Sequence, residues 1–320
     1  MKAAVLYREG GPEVLHYEDV AAPHPAEGQV LIDVRAIGLQ GGDLFNRALT
    51  PPESTPHVVG YQAAGVVIGT ETDAFAVGDR IVAFMFAGSH AEQAIGDAGT
   101  SWRVPGGMSF EEAATVPVEF GTAHDALFEF GGLARGQTVL VQAGASGVGL
   151  AAIQLAKAAG ATVFATASSP ERIDRLREFG VDHGVDYTRE DLPARIRDLT
   201  DGRGVDLVFD PVGGPILEQS LEAVAYRGRV VFVGWVGRDF SPPDLMPLLV
   251  KNATLQATYF GGEMQSAPDR IYALVDGLLG RVAAGELRTH VDRVFALREA
   301  ADAHRYVEAR SAFGRVVLVP

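Results

Sequence analysis

A glycine-rich turn between an apolar run and a helical pattern constrains this chain more than any other segment. The run at residues 139–141 is followed by small residues and then by apolar side chains at helical spacing. Strand, glycine turn and helix open a nucleotide-binding βαβ unit, in which backbone N–H groups and the positive helix end meet a pyrophosphate. A serine replaces the second glycine of the strict G-x-G-x-x-G pattern, so the context carries the prediction. The predicted dinucleotide-binding residues are Gly144, Ala145, Ser146, Gly147 and Val148.

The end of the next predicted strand, at residues 162–166, indicates which dinucleotide is bound. An NAD site usually carries an acidic side chain about 20 residues past the glycines, and Ala167 stands at that strand end. Ser168 and Arg172 can bind a 2′-phosphate, the arginine as a charge-assisted donor. Alternatively, Ser169 caps a helix and Arg172 is solvated, and the two interpretations are compatible. The missing carboxylate and the nearby base favour NADPH over NADH.

The pattern of elements changes near Gly121. Before it, short predicted strands at 2–7, 29–36, 63–69 and 80–84 are separated by turn signals. After it, apolar runs alternate with helical patterns, which is typical of a parallel sheet covered on both faces. The sequence therefore predicts an α/β protein with a doubly wound parallel sheet beside a β-rich domain. The later predicted strands are 138–142, 162–166, 205–209, 229–233, 254–259 and 315–319, with helices at 269–284 and 297–309.

Composition and charge exclude several classes of function. The formal net charge of −14 argues against a nucleic-acid partner, whose phosphates need a basic surface. No apolar run reaches membrane-spanning length and no signal-peptide pattern is present, so we expect a cytoplasmic enzyme. The absence of cysteine excludes disulfides, thiol nucleophiles and cysteine-ligated zinc.

Seven segments, taken in order and spacing, carry a family resemblance. They are 38–43, 59–67, 77–81, 111–117 with 122–123, the turn at Gly144, 209–214 and 313–316. On them the chain resembles the medium-chain dehydrogenase/reductase superfamily, and within it the zinc-independent quinone oxidoreductase (zeta-crystallin-like) group. The resemblance implies a GroES-like catalytic barrel from residues 1–120 and 262–320 and a Rossmann NADPH-binding domain at 121–261. It also implies an active site in the cleft between them.

Four positions depart from the pattern of that family. Zinc-containing members place a cysteine ligand at the Gln40 position and a histidine ligand at the Tyr61 position. Zinc-independent members usually have asparagine in place of Gln40 and glutamate in place of Gln62. The helix after Thr122 usually begins with tyrosine, where this chain has His124. We therefore expect no metal site, and the departures concern the identity of the substrate more than the class of reaction.

The candidate catalytic residues are Gln40, Asp43 and His124. Without zinc, hydrogen-bond donors have to stabilise a developing oxyanion, and Gln40 is the first candidate, with a surface or turn glutamine as the alternative. Asp43 is predicted to orient local backbone, or else to be a helix N-cap just before Leu44. His124 is a candidate acid or a structural helical histidine. Thr122 is expected to touch the nicotinamide or to bond back to its own helix.

Further candidate cofactor residues lie where ligands of doubly wound sheets bind, at the carboxyl ends of strands. Tyr187 matches a family tyrosine that packs at the adenine-phosphate end, or it packs at a strand edge. Aromatic side chains at the later strand ends line an apolar pocket or close the core. Arg315 is expected to reach the phosphates or the nicotinamide. The full set is Tyr187, Val212, Phe232, Gly234, Tyr259, Phe260 and Arg315.

Three functions remain open at this point. The first is hydride transfer from NADPH to quinones, the second is reduction of activated C=C bonds in enones, enals or enoyl thioesters, and the third is NADPH binding without turnover. Gly41 and Gly42 stand where relatives often carry bulk, so we expect room for a flat conjugated carbonyl or quinone.

The segment 253–260 is the last predicted strand of the sheet by sequence order. An open apolar edge is an aggregation hazard, so we predict a homodimer, with a covering loop in a monomer as the alternative.

Overall fold

The computed structural model describes residues 1–320, which form two compact units: residues 1–121 with 261–320, and residues 122–260. The strands are β1 (Lys2–Leu6), β2 (His16–Asp19), β3 (Gln29–Gly38), β4 (His57–Val58), β5 (Gln62–Thr70), β6 (Arg80–Phe84), β7 (Gln93–Asp97), β8 (Ser101–Arg103), β9 (Thr138–Val141), β10 (Thr162–Ala167), β11 (His183–Asp186), β12 (Val205–Asp210), β13 (Val224–Phe232), β14 (Thr254–Ala257), β15 (Val291–Ala296) and β16 (Arg315–Val319). The α-helices are α1 (Gly41–Leu49), α2 (Phe110–Ala113), α3 (Pro117–His124), α4 (Gly147–Ala158), α5 (Pro170–Arg177), α6 (Leu192–Leu199), α7 (Pro215–Ala223), α8 (Met246–Lys251), α9 (Phe260–Ser266), α10 (Pro268–Ala283) and α11 (Ala300–Glu308).

The unit at residues 122–260 is built on a six-stranded sheet in the order β11-β10-β9-β12-β13-β14. Every neighbouring pair is parallel. Its strands are apolar runs because side chains on both faces are buried, as at Val139, Leu140 and Val141. The order reverses between β9 and β12, and such a switch point opens a crevice at the carboxyl ends where dinucleotides bind. The predicted α/β fold class is confirmed.

The observed elements differ from the predicted ones at several points. β11 is an edge strand of four residues that was not among the predicted strands. The strand predicted at 254–259 ends at Ala257, because Phe260 already begins α9. The helix expected after Thr122 begins earlier, at Pro117. Proline suits the first position of a helix because it has no N–H, and an N–H at that position would have no partner within the helix.

The other unit contains a seven-stranded, mostly antiparallel sheet and a small three-stranded sheet. The larger sheet runs β15-β16-β3-β5-β6-β8, with β7 also paired to β3, and the smaller one runs β2-β1-β4. β3 alternates partly buried and buried residues from Gln29 to Val34, so one of its faces packs on the apolar core. β16 pairs antiparallel with the end of β3, which brings Arg315 beside the chain that leads into α1.

None of the helices is both long and apolar enough to span a membrane.

Candidate active site

Gln40 stands between β3 and α1 as the residue that precedes the helix. Its backbone N–H donates to Oδ2 of Asp43 at 2.7 Å. Asp43 is the third residue of α1, so the expectation that it is the N-cap is wrong; it accepts the otherwise unpaired N–H at the helix start instead. The Gln40 side chain is only 3% exposed, which excludes a surface glutamine. The helix start therefore fixes the Gln40 backbone inside the core.

An ion pair lies beside the peptide bond that joins Leu39 to Gln40. Arg315 donates from Nη1 to the carbonyl oxygen of Leu39 at 2.6 Å, and its guanidinium pairs with the carboxylate of Glu119. Glu119 comes from α3 and is 2% exposed. Burial raises the pKa of Glu119. The positive charge of Arg315 opposes this rise most strongly, and the Gln62 and Gln40 amides oppose it less. Although Gln40 lies close enough to influence that carboxyl, its Nε2 completes no hydrogen bond of normal geometry.

The Gln62 side chain donates two hydrogen bonds that a carboxylate could not donate, so the carboxylate that pairs with Arg315 is that of Glu119 on α3. Nε2 of Gln62 donates to the Ala114 carbonyl at 2.6 Å and to Glu119 at 3.1 Å, and its Oε1 accepts from the Val118 N–H at 3.1 Å. An ionised glutamate at this position can only accept, so it could make neither donation. The sequence analysis missed Glu119. The sequence gives no local signal for it, because Glu119 and Arg315 are far apart in the chain and the burial of the guanidinium follows only from the fold.

Asp43 is the second buried carboxyl group beside Gln40. Burial raises its pKa to about 7, while the Gln40 N–H, the Arg315 charge and the Tyr61 amide act in the opposite direction. Its carboxyl therefore changes charge near neutral pH, next to the Gln40 backbone. We call Gln40, Asp43, Gln62, Glu119 and Arg315 the Gln40 cluster.

The space at Gly42 is filled by an aromatic ring. A Cβ atom on Gly42 would lie 2.1 Å from Cε2 of Tyr61, so the expectation that this glycine leaves room for an acceptor is wrong. The Tyr61 hydroxyl accepts from Nδ2 of Asn46 at 2.9 Å. The Tyr61 ring centroid lies 6.1 Å from that of Phe84, so an aromatic wall, rather than a gap, flanks the start of α1.

In the unit at residues 122–260, the glycine turn forms as the sequence indicates. Ser146 is the N-cap of α4: its Oγ accepts from the Gly149 N–H at 3.1 Å and donates to the Ala143 carbonyl at 2.8 Å. A serine therefore serves well where the strict pattern has glycine. A Cβ on Gly149 would lie 2.4 Å from the Ala143 oxygen, so this close approach requires glycine. The turn residues 144–148 and the N-terminus of α4 come together at the end of β9.

The residues predicted for the 2′-phosphate lie at the end of β10. Ser169 caps α5 by accepting from the Arg172 N–H at 3.3 Å, as predicted. Tyr187 follows β11, and its N–H donates to the Ala167 carbonyl at 3.2 Å, which brings it beside the Ser168 segment. The structure adds Arg189, 73% exposed, with Nε 3.6 Å from the Asp186 carboxylate. Arg172, Arg189 and Tyr187 therefore follow the carboxyl ends of two neighbouring strands, β10 and β11.

The loops after β12 and β13 are joined through their backbones. The carbonyls of Pro211 and Val212 accept from the N–H groups of Val236 and Gly237 at 3.1 and 3.0 Å. The segments that hold the predicted residues Val212, Phe232 and Gly234 are therefore neighbours. The Phe232 ring packs edge-on against Trp235, with 4.6 Å between centroids.

The remaining predicted residues lie apart from these groups within their own segments. Tyr259 is 67% exposed after β14, whereas Phe260 is buried. Thr122 and His124 lie near the end of α3; the His124 ring packs on Phe128 at 4.9 Å, with Nδ1 3.9 Å from the Asp125 carboxylate. The roles of these residues stay predictions.

No group of three or more histidine, aspartate or glutamate side chains is placed to hold a metal ion. The positions of the zinc ligands in zinc-containing relatives carry the Gln40 amide and the Tyr61 phenol.

Comparisons with known proteins identify the family of this chain. Residues 147–277 match the zinc-binding dehydrogenase family model, and residues 26–124 match the alcohol dehydrogenase GroES-like domain. A quinone oxidoreductase of Pseudomonas aeruginosa is 36% identical over 315 residues, which cover 97% of both chains. A 2-haloacrylate reductase of a Burkholderia species is 30% identical over 332 residues, 99% of this chain and 98% of that one.

Among solved structures, the quinone oxidoreductase of Escherichia coli complexed with NADPH superposes with a TM-score of 0.93 at 28% identity, over the full length of both chains. An enzyme family and an NADPH-bound structural neighbour leave the alternative of binding without turnover unsupported. The chain belongs to the medium-chain dehydrogenase/reductase superfamily, in its quinone oxidoreductase group, and is an NAD(P)H-dependent oxidoreductase of that type.

Proposed function

We propose that this protein uses NADPH to reduce quinones, with Gln40 as the hydrogen-bond donor to the acceptor. The observation that carries the proposal is the buried Nε2 of Gln40, a donor without a completed hydrogen bond inside a rigidly held cluster. A polar group buried in this way is costly unless a ligand completes it.

The Gln40 cluster accounts for the stabilisation of charge during the reaction. NADPH, when bound, supplies the hydride; the quinone takes up that hydride and one proton and becomes the hydroquinone. As negative charge develops on the carbonyl oxygen, the Gln40 amide donates to it in a water-poor setting, where such a bond is strongest. Asp43 and Arg315 hold the peptide bond that leads into Gln40, since one binds its N–H and the other binds its Leu39 carbonyl. The protein therefore contributes position and electrostatics.

The choice of NADPH is supported by the end of β10. Ala167 carries no carboxylate to bind a ribose 2′-hydroxyl, and Ser168 with Arg172 follows directly. The Escherichia coli neighbour was solved with NADPH.

Reduction of activated C=C bonds is the second candidate. It is supported by the 2-haloacrylate reductase, which matches nearly the full length of the chain at 30% identity. The same amide donor would serve a developing enolate oxygen as well as a quinone oxygen.

An acceptor panel separates the two candidates. NADPH absorbance is followed with para-benzoquinone, phenanthrenequinone, an enone, an enal, 2-chloroacrylate and ethanol in turn. We expect the fastest oxidation with quinones. Faster turnover of the alkenes would favour the second candidate, and ethanol turnover with NADP would contradict both.

We also propose that the protein is a homodimer joined through β14. This strand lies at the edge of the six-stranded sheet, so one side of its backbone has no strand partner. The preceding helix α8 exposes Leu249 and Val250 by 70% and 63%. A second copy would cover both features. Sedimentation at micromolar concentration tests this, since a species near 33.9 kDa alone would exclude the dimer.

A further inference from the structure

Three buried side chains near the ends of three neighbouring strands and one on a helix form one continuous hydrogen-bonded network. Thr166 is the last residue but one of β10, Gln142 follows β9, Asp210 ends β12, and Ser220 lies on α7. None of the four is more than 2% exposed. We call them the strand-end network.

Every side-chain hydrogen bond of the strand-end network has the same direction. The Thr166 hydroxyl donates to Oε1 of Gln142 at 2.9 Å, and Nε2 of Gln142 donates to the Ser220 hydroxyl at 3.0 Å. The Ser220 hydroxyl then donates to Oδ2 of Asp210 at 2.7 Å. The network ends on Asp210, a carboxylate that only accepts. Removing one link therefore leaves buried neighbours on both sides without a partner.

The two ends of the network hold the backbone of two different loops. At one end, the Thr166 hydroxyl accepts from the Ala143 N–H at 3.1 Å, where the glycine turn begins. At the other end, Oδ1 of Asp210 accepts from the Val212 and Gly213 N–H groups at 2.8 and 3.1 Å. Burial raises the pKa of Asp210, and these N–H groups with the Ser220 hydroxyl oppose that effect.

Both loops turn sharply at the strand ends through a residue with a positive φ angle, and in the first loop that residue is strained. Ala143 adopts a left-handed φ of 51°, which is unfavourable for a residue with a Cβ, and Gly213 has a φ of 75°. Each loop also has backbone hydrogen bonds, from the Gly144 N–H to the Thr166 carbonyl and from the Gly237 N–H to the Val212 carbonyl. The network adds side-chain hydrogen bonds that connect one loop to the other.

We propose that the strand-end network sets the geometry of the 143–149 and 211–214 loops as a single unit, so that Gln142 and Ser220 are positioning residues for the dinucleotide. The proposal rests on NADPH binding by this unit. It assigns a function to Gln142 and Ser220, two residues that the sequence analysis did not single out.

The first experiment measures the NADPH dissociation constant. Ser220→Ala should weaken binding by about 10-fold, because it removes one buried link. Ser220→Thr keeps the hydroxyl and should stay within about threefold of wild type. Leu217→Ala, on the same helix but outside the network, should lower the urea midpoint without changing affinity. Ser220→Ala with unchanged affinity and a lowered urea midpoint would overturn the proposal.

The second experiment tests whether the network acts as one unit. Thr166→Val and Ser220→Ala change opposite ends, so the double variant should bind NADPH within about twofold of the weaker single variant. Losses that multiply would show two independent supports and would overturn the proposal.

The third experiment needs no cofactor and separates this proposal from the proposed function. Amide hydrogen exchange of the cofactor-free Ser220→Ala protein should rise in both loops, including 143–149 beyond the network's other end. A rise in 211–214 alone would overturn the proposal. If wild type bound no NADPH while both loops responded together, the proposed cofactor would be wrong but the coupling of the loops would stand.

Discussion

Two buried polar groups of this protein, the strand-end network and the Gln40 cluster, are built in opposite ways. In the strand-end network each side chain has a hydrogen-bond partner on both sides, and all bonds run towards one carboxylate. In the Gln40 cluster Nε2 of Gln40 completes no hydrogen bond of normal geometry, Glu119 pairs with Arg315, and burial raises the pKa of the second carboxyl, Asp43. A fully satisfied group can only fix the backbone around it. A group that has an unused donor and a carboxyl that titrates near neutral pH can still form a hydrogen bond to a ligand or change its charge.

The largest effect is expected from removing that unused donor. Gln40→Ala should lower turnover by roughly 10- to 1000-fold, the scale of losing one oxyanion donor. Gln40→Asn keeps an amide and serves as the control, with a smaller loss. Steady-state kinetics with a quinone check this prediction. Turnover of Gln40→Ala at the wild-type rate would show that the donor lies elsewhere, and the comparison between the two groups would lose its basis.

A pH series tests the titrating carboxyl. Because burial raises the pKa of Asp43 to about 7, the unfolded chain ionises at lower pH than the folded protein does. The native state then holds the extra proton, so this residue's contribution to stability falls as pH rises. Between pH 5 and 7 wild type should lose about 2–3 kcal/mol relative to Asp43→Asn. Urea unfolding of both proteins at each pH gives this difference, and a constant difference would contradict the raised pKa.

Variants at the predicted dinucleotide site test the comparison through cofactor binding. Arg172→Ala should weaken NADPH binding by roughly 1–3 kcal/mol, the scale of a charge-assisted hydrogen bond, and leave NADH binding nearly unchanged. Ser220→Ala should weaken both dinucleotides alike, because the two share the pyrophosphate that the loops are expected to hold. Calorimetric titration with each dinucleotide distinguishes them. Equal binding of NADH and NADPH by wild type would refute the assignment of the 2′-phosphate site.

The smallest effect is expected from chelation. Gln40 and Tyr61 stand at the positions that match the zinc ligands of zinc-containing relatives and offer an amide and a phenol, so extensive EDTA treatment should leave turnover unchanged. Metal analysis of the same sample is the control. Stoichiometric zinc that disappears together with activity would contradict a donor made only of protein groups.

Much of the fold could be predicted from local sequence patterns, because those segments adopt the same elements in the folded protein. The predicted strands at 162–166, 205–209 and 315–319 correspond to β10, β12 and β16, because continuous apolar runs suit buried strands. β11 was harder to predict because only two of its four residues are fully buried. The start of α3 was misplaced because the change of rhythm near Gly121 falls inside the helix rather than before it.

The site was only partly predictable because its partners are distant in sequence. The family resemblance identified Gln40, Asp43 and Arg315, but nothing near Arg315 in the sequence shows that Glu119 is its counter-ion. Gly42 was misjudged for the same reason, since a small residue does not reveal that Tyr61 fills the space beside it. The strand-end network was missed because threonine, glutamine and serine form no recognisable motif until the fold aligns them.

The pairing of β16 with β3 has a consequence for synthesis of the protein. Gln40, Asp43, Gln62 and Glu119 all leave the ribosome before residues 122–260, and Arg315 emerges only after that entire unit. The contiguous unit can therefore fold while the chain is still growing, as domains generally do. Until Arg315 has been made, Glu119 has no guanidinium to pair with. The buried ion pair beside Gln40 can therefore form only after β16 has been synthesised.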